Sequence, residues 1–233
     1  MSRSVNAAIA ALACLSVIFL FVSSGEPVLS FLEGTMIEPL LHALSWPNTI
    51  VFNLSVGYLT STIFWILVVY LPERSRRRLV REALAVRYKE FKYEIVQTFL
   101  WAADRSEETR FVEELANDYE KFKTYFKSTN QTWYDVLNGI QSNSIRMHEL
   151  QLAMTVFADH VAFAMSSVPV DDPDAHRVLL RLRENIFRLN NSETDLYDRV
   201  KHVGGFLWSI LARWSIIEGQ LQDDIIDRMI ARI

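Results

Sequence analysis

Cysteine is nearly missing from this chain: Cys14 is the only one in 233 residues. A disulfide scaffold is excluded, and a cysteine-based metal cluster nearly so. Glycine and proline are scarce as well, at seven and six residues. With no long low-complexity run, that scarcity argues against long flexible linkers. No internal repeat occurs. The usual catalytic signatures are absent: no phosphate-binding glycine loop, no Gly-x-Ser-x-Gly and no zinc motif. His148-Glu149 fails to make His-Glu-x-x-His because position 152 is Leu. His148 and His160 stand about three helical turns apart, too far to share a metal. Asp223, Asp224 and Asp227 read as the solvated face of a final helix. The expectation is therefore a non-enzymatic protein without a catalytic residue, metal or cofactor.

Charge is missing altogether from two blocks, Val5–Val22 (18 residues) and Ile50–Leu71 (22 residues). A bilayer core needs about 20 apolar residues in a helix, so both are candidate spans. Met1-Ser2-Arg3 and Val22-Ser23-Ser24 would also suit a signal peptide with a weak cleavage site. The first block is longer than the usual signal core of roughly 7–15 residues, so we expect residues 1–24 to be retained as a helix. Between the blocks, residues 25–48 contain no Lys or Arg, as expected for the outer side of a membrane. There Leu29, Leu32, Met36, Leu40 and Leu44 recur at steps of three or four. This predicts an amphipathic helix kinked by Pro39, with Trp46 as an interfacial anchor.

Basic charge is concentrated at one junction. Glu73-Arg74-Ser75-Arg76-Arg77-Arg78 follows the second block directly, and Arg81 comes next. From Glu73 to Lys92 there are eight Lys/Arg against three acids; from Tyr93 onward there are 15 against 22. Cytoplasmic flanks of membrane spans carry such an excess. Arg74, Arg76, Arg77, Arg78 and Arg81 thus read as a topology determinant and a contact for anionic lipid. The chain's net charge is −4 and the run has no folded recognition motif, so no direct sequence-specific nucleic-acid binding is expected. The expected layout is a transmembrane hairpin over residues 1–72 and a cytoplasmic helical domain over 73–233, with both termini cytoplasmic in a bacterial inner membrane.

Beyond Glu73 the periodicity predicts helices throughout, an all-α domain with no convincing strand. Leu79, Ala83, Val86, Phe91, Ile95 and Phe99 form one stripe. Asp104 and Glu107 suggest a cap for a helix presenting Phe111, Leu115, Tyr119, Phe122 and Phe126. Further helices are expected from Asn130 to Ile140, from Ile145 to about Ser167, and from Asp174 to Asn191, with a loop at Pro169–Pro173. Ser192 opens a last element carrying Leu207, Ile210, Trp214, Ile217, Leu221 and Ile225. Leu150–Val170 and Val203–Ile217 are apolar, but Asp159, His160 and Arg213 make them buried helices rather than spans.

Within the second block, Asn53, Gly57, Thr60 and Ser61 fall along one stripe of the helix. Ala7 and Ala11, or Ala10 and Cys14, make a small-xxx-small pattern in the first. Small residues let membrane helices approach closely, and polar ones hydrogen-bond across the contact. The stripe serves either packing within the hairpin or self-association around a polar path. Nothing in it looks like a selectivity filter.

The two apolar blocks, the Glu73–Arg78 exit and the long helical region after it resemble, in layout, the two-span transmembrane effectors of bacterial retron anti-phage systems. The resemblance covers most of the chain and rests on no short motif. It implies a toxin-like effector of abortive infection, held quiet by a reverse transcriptase with its RNA–DNA hybrid, that damages the inner membrane once released. Membrane lipid and further copies of the chain would be its other partners. The alternative is a membrane-anchored adaptor whose helical domain docks a protein.

Overall fold

The structure is a computed structural model of the chain. It describes residues 3–24, 34, 36, 38–103, 109–128, 133–169, 173–191, 196–215 and 219–233. It is mostly helical and divides into two compact units, Met1–Ser75 and Arg76–Ile233.

In the first unit, α1 (Arg3–Val22) packs against α3 (Thr49–Trp65). The short α2 (Glu38–Leu44) lies between them in sequence. Trp46 N–H donates to Val22 O at 2.8 Å and Tyr58 OH to Ile9 O at 3.3 Å, so the two helices run antiparallel. Asn48 caps α3, its side-chain oxygen accepting from Ile50 N–H at 3.0 Å and Val51 N–H at 3.1 Å, which satisfies two otherwise unpaired donors. Of the amphipathic helix expected between the blocks, Leu29 and Leu32 lie outside the described residues. The helix that is described begins at Glu38, with Pro39 in its first turn. A missing N–H costs nothing there, so Pro39 starts this helix and does not kink it. Met36 is fully exposed and stands before it.

The helix begun at Thr49 continues to Ala102. Pro72 does not end it. Instead Ile66–Tyr70 widens to a π-turn, with Leu71 N–H donating to Ile66 O, and α4 (Leu71–Ala102) follows. The cause is local. Proline lacks the N–H that Val68 O would accept, and its ring crowds that carbonyl; a π-turn is one way a helix absorbs both.

In the second unit, α5 (Thr109–Asn117), α6 (Tyr119–Ser128), α7 (Trp133–Ser142), α8 (Ser144–Ser167), α9 (Pro173–Asn191), α10 (Leu196–Leu211) and α11 (Ile225–Arg232) share one buried hydrophobic core with part of α4. Phe99, Phe122, Phe126, Trp133 and Trp208 make one aromatic group; Phe91, Tyr88 and Phe157 make another, with Phe91 and Phe157 stacked at 4.5 Å. Each such pair adds about 0.5–1.5 kcal/mol beyond the area it buries.

Two expected helices are broken. Asp118 interrupts the Phe111–Phe126 stripe. Its carboxylate caps α6 by accepting from Glu120 and Lys121 N–H at 3.1 Å, and Asp104 and Glu107 lie outside the described residues. The last element stops at Leu211. Arg213 takes φ +47°, and Trp214–Ser215 pairs antiparallel with Gly219–Gln220, the latter entered through Gly219 at φ +72°. A backbone at positive φ cannot continue a right-handed helix, so Trp214 and Ile225 belong to different elements. That pair is also the strand that periodicity had not suggested. Asn130 and Ser192 lie outside the described residues. Asn143, two residues before the expected first residue Ile145, caps α8.

Candidate functional site

Two arrangements concentrate polar groups where the surroundings are apolar. The first is on α3. Among its less exposed residues Phe52, Ser55, Tyr58, Thr62 and Trp65 form one line, and on α1 Ile9, Ala13, Ser16 and Leu20 do the same. Both sets recur at steps of three and four, the geometry of two helices meeting along a seam. Asn53, Gly57, Thr60 and Ser61 are all exposed. The helix brings them onto one side, and α1 does not cover them. Ala7, Ala10, Ala11 and Cys14 are likewise exposed. A Cβ added at Gly57 would meet nothing within 4 Å.

The stripe is only partly satisfied from within. Ser61 Oγ donates back to Gly57 O at 2.8 Å, a common local bond in helices. Asn53 and Thr60 have no side-chain hydrogen bond among the described residues. Around them Ile50, Leu54, Val56, Ile63, Phe64, Leu67 and Val68 are exposed as well. The helix containing these residues is long and apolar enough to cross a membrane, and little of its apolar window is buried; Ala7–Val22 is a shorter apolar segment. Just beyond lie the basic side chains. Arg74, Arg76, Arg78 and Arg81 are exposed and Arg77 is half-buried; Arg78 reaches Glu82 at 3.7 Å, both side chains largely exposed. Such pairs contribute little.

The second arrangement is buried in the other unit. Tyr88 on α4 donates its hydroxyl to Asp224 Oδ2 at 2.5 Å. Lys92, one turn on, brings Nζ to 3.8 Å from the same oxygen and to 4.6 Å from the Tyr88 ring centroid. Asp224 also caps α11, Oδ1 accepting from Ile226 N–H at 2.9 Å and Asp227 N–H at 3.4 Å. Tyr88 and Asp224 are 1% and 3% exposed. Burial pushes the Asp224 carboxyl up from its ordinary value, and nearby Asp227 adds to this; the Tyr88 hydrogen bond and Lys92 pull it back. Burial, then the charge of Asp224, pushes the Tyr88 phenol well up. A phenol held neutral is a permanent donor, and here it donates to a helix cap. The cluster therefore fastens α11 to α4.

This corrects the reading of Asp223, Asp224 and Asp227 as a solvated face: Asp224 is buried, while Asp223 and Asp227 are exposed. A sequence signal did exist, because Asp224 directly precedes the apolar run Ile225-Ile226 and so has the position of an N-cap. His148, His160 and His202 come together nowhere, and the described residues contain no group of three or more His, Cys, Asp or Glu able to hold a metal. No family model, curated protein or solved structure matches the chain.

Proposed function

We propose that the protein is a membrane effector of a bacterial anti-phage system, one that impairs the inner membrane when a partner complex releases it. The observation that carries this reading is the exposed, unpartnered amide of Asn53 on an otherwise apolar helix surface. In hydrocarbon an unsatisfied amide costs several kcal/mol, about 2–7 depending on the reference state. Association of several copies through Asn53, Gly57, Thr60 and Ser61 removes that cost and lines a polar path with the same groups. In this reading α1 and α3 are the two spans, residues 25–48 face outward, and both termini with residues 73–233 face the cytoplasm. α1 has 20 residues, about 30 Å at 1.5 Å each, close to the thickness of a bilayer core. The releasing partner, on the retron resemblance, is a reverse transcriptase with its RNA–DNA hybrid.

The test is expression in bacteria with dye uptake and membrane potential as readouts. Leak is expected from the native chain and is lost in the Asn53→Leu, Ser61→Leu double variant at equal membrane abundance. Cells that hold high levels of the native protein and keep their potential overturn the proposal.

A second reading, a membrane-anchored adaptor, draws on the extensive buried core that the second unit has of its own. Replacing residues 1–72 by an unrelated two-span anchor separates the two. An adaptor keeps its function after the exchange, and an effector loses it.

A further inference from the structure

The buried face of α8 is clear: Leu150, Met154, Phe157, Val161 and Ala164 all point into the core. The opposite face of the same helix should be polar, and it is not. Ile145, Leu152, Val156 and Phe163 are 66%, 55%, 44% and 69% exposed. They fall within one narrow strip, since their spacings of seven, four and seven residues return to the same side of a 3.6-residue helix. Scattered exposed apolar residues are normal on a surface, but four large ones aligned along one side of a helix point to an interaction.

The order of the stripe says what covers it. Ile145 and Phe163 stand nine residues either side of Met154, and Leu152 and Val156 stand two either side. The pattern therefore reads the same from both ends of the helix. Laid antiparallel on a second α8 about a two-fold axis level with Met154, Ile145 meets Phe163 of the second copy, and Leu152 meets its Val156. An isologous contact requires this kind of self-complementarity.

The acids and histidines flanking the stripe are complementary under the same operation. Glu149 and His160 lie on one side of it, His148 and Asp159 on the other. A two-fold axis across an antiparallel helix pair sets each side against itself. Asp159 then faces His148 of the second copy, and Glu149 faces its His160. No acid is set opposite an acid. His160 Nδ1 already bonds Val156 O at 2.6 Å, which leaves Nε2 to meet the second copy. Glu149 is also held by Arg146 at 2.9 Å, which fixes its side chain near the stripe. Acid–histidine pairs of this kind set register and orientation more than affinity.

We infer that the outer face of α8 is a homodimer interface, in which two copies pack α8 against α8 antiparallel, centred on Met154. This surface belongs to the second unit and does not depend on the membrane-leak reading.

The test uses the full chain in membranes with Cys14→Ser as background and a short thiol crosslinker. Ile145→Cys and Phe163→Cys are made separately, on copies with different tags. The two positions lie about 27 Å apart along one helix, beyond a short crosslinker's reach. Co-expressed, they should give a mixed dimer at least fivefold above the dimer formed by either alone. His148→Glu should cut that product at least fivefold, and Asp159→Lys added to it should restore it. Equal crosslinking of each variant with itself means parallel packing or random collision and overturns the inference. So does absence of the mixed dimer, capture of a different protein in its place, or indifference to the charge swap.

Discussion

The hydroxyl of Tyr88 donates to Asp224 Oδ2 at 2.5 Å across 136 residues of sequence. That one bond joins the middle of α4 to the cap of the last helix, and both partners are buried. Removing the donor leaves a buried carboxylate oxygen with only Lys92 at 3.8 Å. Hydrogen bonds to charged groups contribute about 1.5–3 kcal/mol, so Tyr88→Phe should lower unfolding stability by that amount. Asp224→Ala removes the cap as well and strands both Tyr88 and Lys92; breaking a buried pair this way costs about 3–5 kcal/mol. Denaturant unfolding followed by tryptophan fluorescence checks the order. If Asp224→Ala is the milder variant, the cluster does not hold α11.

The same cluster predicts a pH dependence of definite sign. The folded-state Asp224 carboxyl is raised above its ordinary value by burial. Between those two values the folded chain binds more protons than the unfolded one, so stability falls as pH rises through the window. Above the folded value the cost of burying the charge is complete. Tyr88, raised by burial and by Asp224, acts in the same direction in strong alkali. Acidifying from neutral should therefore relieve the strain of Asp224 until the ordinary carboxylate range is reached. Asp224→Asn, which has no charge to bury, should show less of this gain. The measurement is the difference in unfolding free energy between wild type and Asp224→Asn across the acid range. A difference that does not move toward wild type on acidification counts against the argument.

How much of this was legible in the residues depends on what kind of signal each feature leaves. α4, α8 and α10 repeat apolar residues every three or four positions over many turns, and that periodicity survives in the structure. The break at Asp118 leaves no gap in the stripe: Leu115 and Phe122 keep helical spacing across it, and a polar residue fits a helix face as well as a cap. The break at Arg213 is a matter of one backbone angle, to which hydrophobic pattern is blind. The π-turn at Ile66–Tyr70 follows from Pro72, but a proline in a pattern signals an end more often than a bulge. On α3 the stripe Asn53, Gly57, Thr60 and Ser61 was visible. Which side α1 would cover was not, because Ser55, Tyr58 and Thr62 make a second polar stripe of similar composition.

Glycine tests the close approach of α7 to α4. A Cβ built on Gly139 would collide with Ala102 O, a backbone atom that cannot swing aside. Gly139→Ala should destabilise by about 1–3 kcal/mol, the usual cost of overpacking. Gly205 on α10 has open space where its Cβ would go. A helix gains about 0.5–1 kcal/mol from alanine over glycine, so Gly205→Ala should stabilise. Thermal unfolding of the two variants in parallel decides the matter, and shifts of the same sign would show that the Ala102 contact is not tight.

If the proposed topology holds, the arginine run sets the orientation of the spans, and its removal should loosen it. Before Val5 the chain has one basic residue, Arg3; after Leu71 it has Arg74, Arg76, Arg77, Arg78 and Arg81 within ten residues. Orientation follows the bias of Lys and Arg near span ends, with acids contributing little. Residues 25–48 have no Lys or Arg to oppose the bias. With all five replaced by Gln, only Arg3 on one flank and Arg87, Lys89 and Lys92 on the other still favour the cytoplasmic side. A reporter at the C-terminus, active only in the cytoplasm, should read uniformly in the native chain and as a mixed population in the variant. Restoring any two of the five should recover most of the native orientation, because the rule counts charges and does not read their order. An unchanged reading with all five removed would mean that the run has another task, and anionic-lipid contact would then be the first to test, at about 1 kcal/mol for each basic residue near the surface.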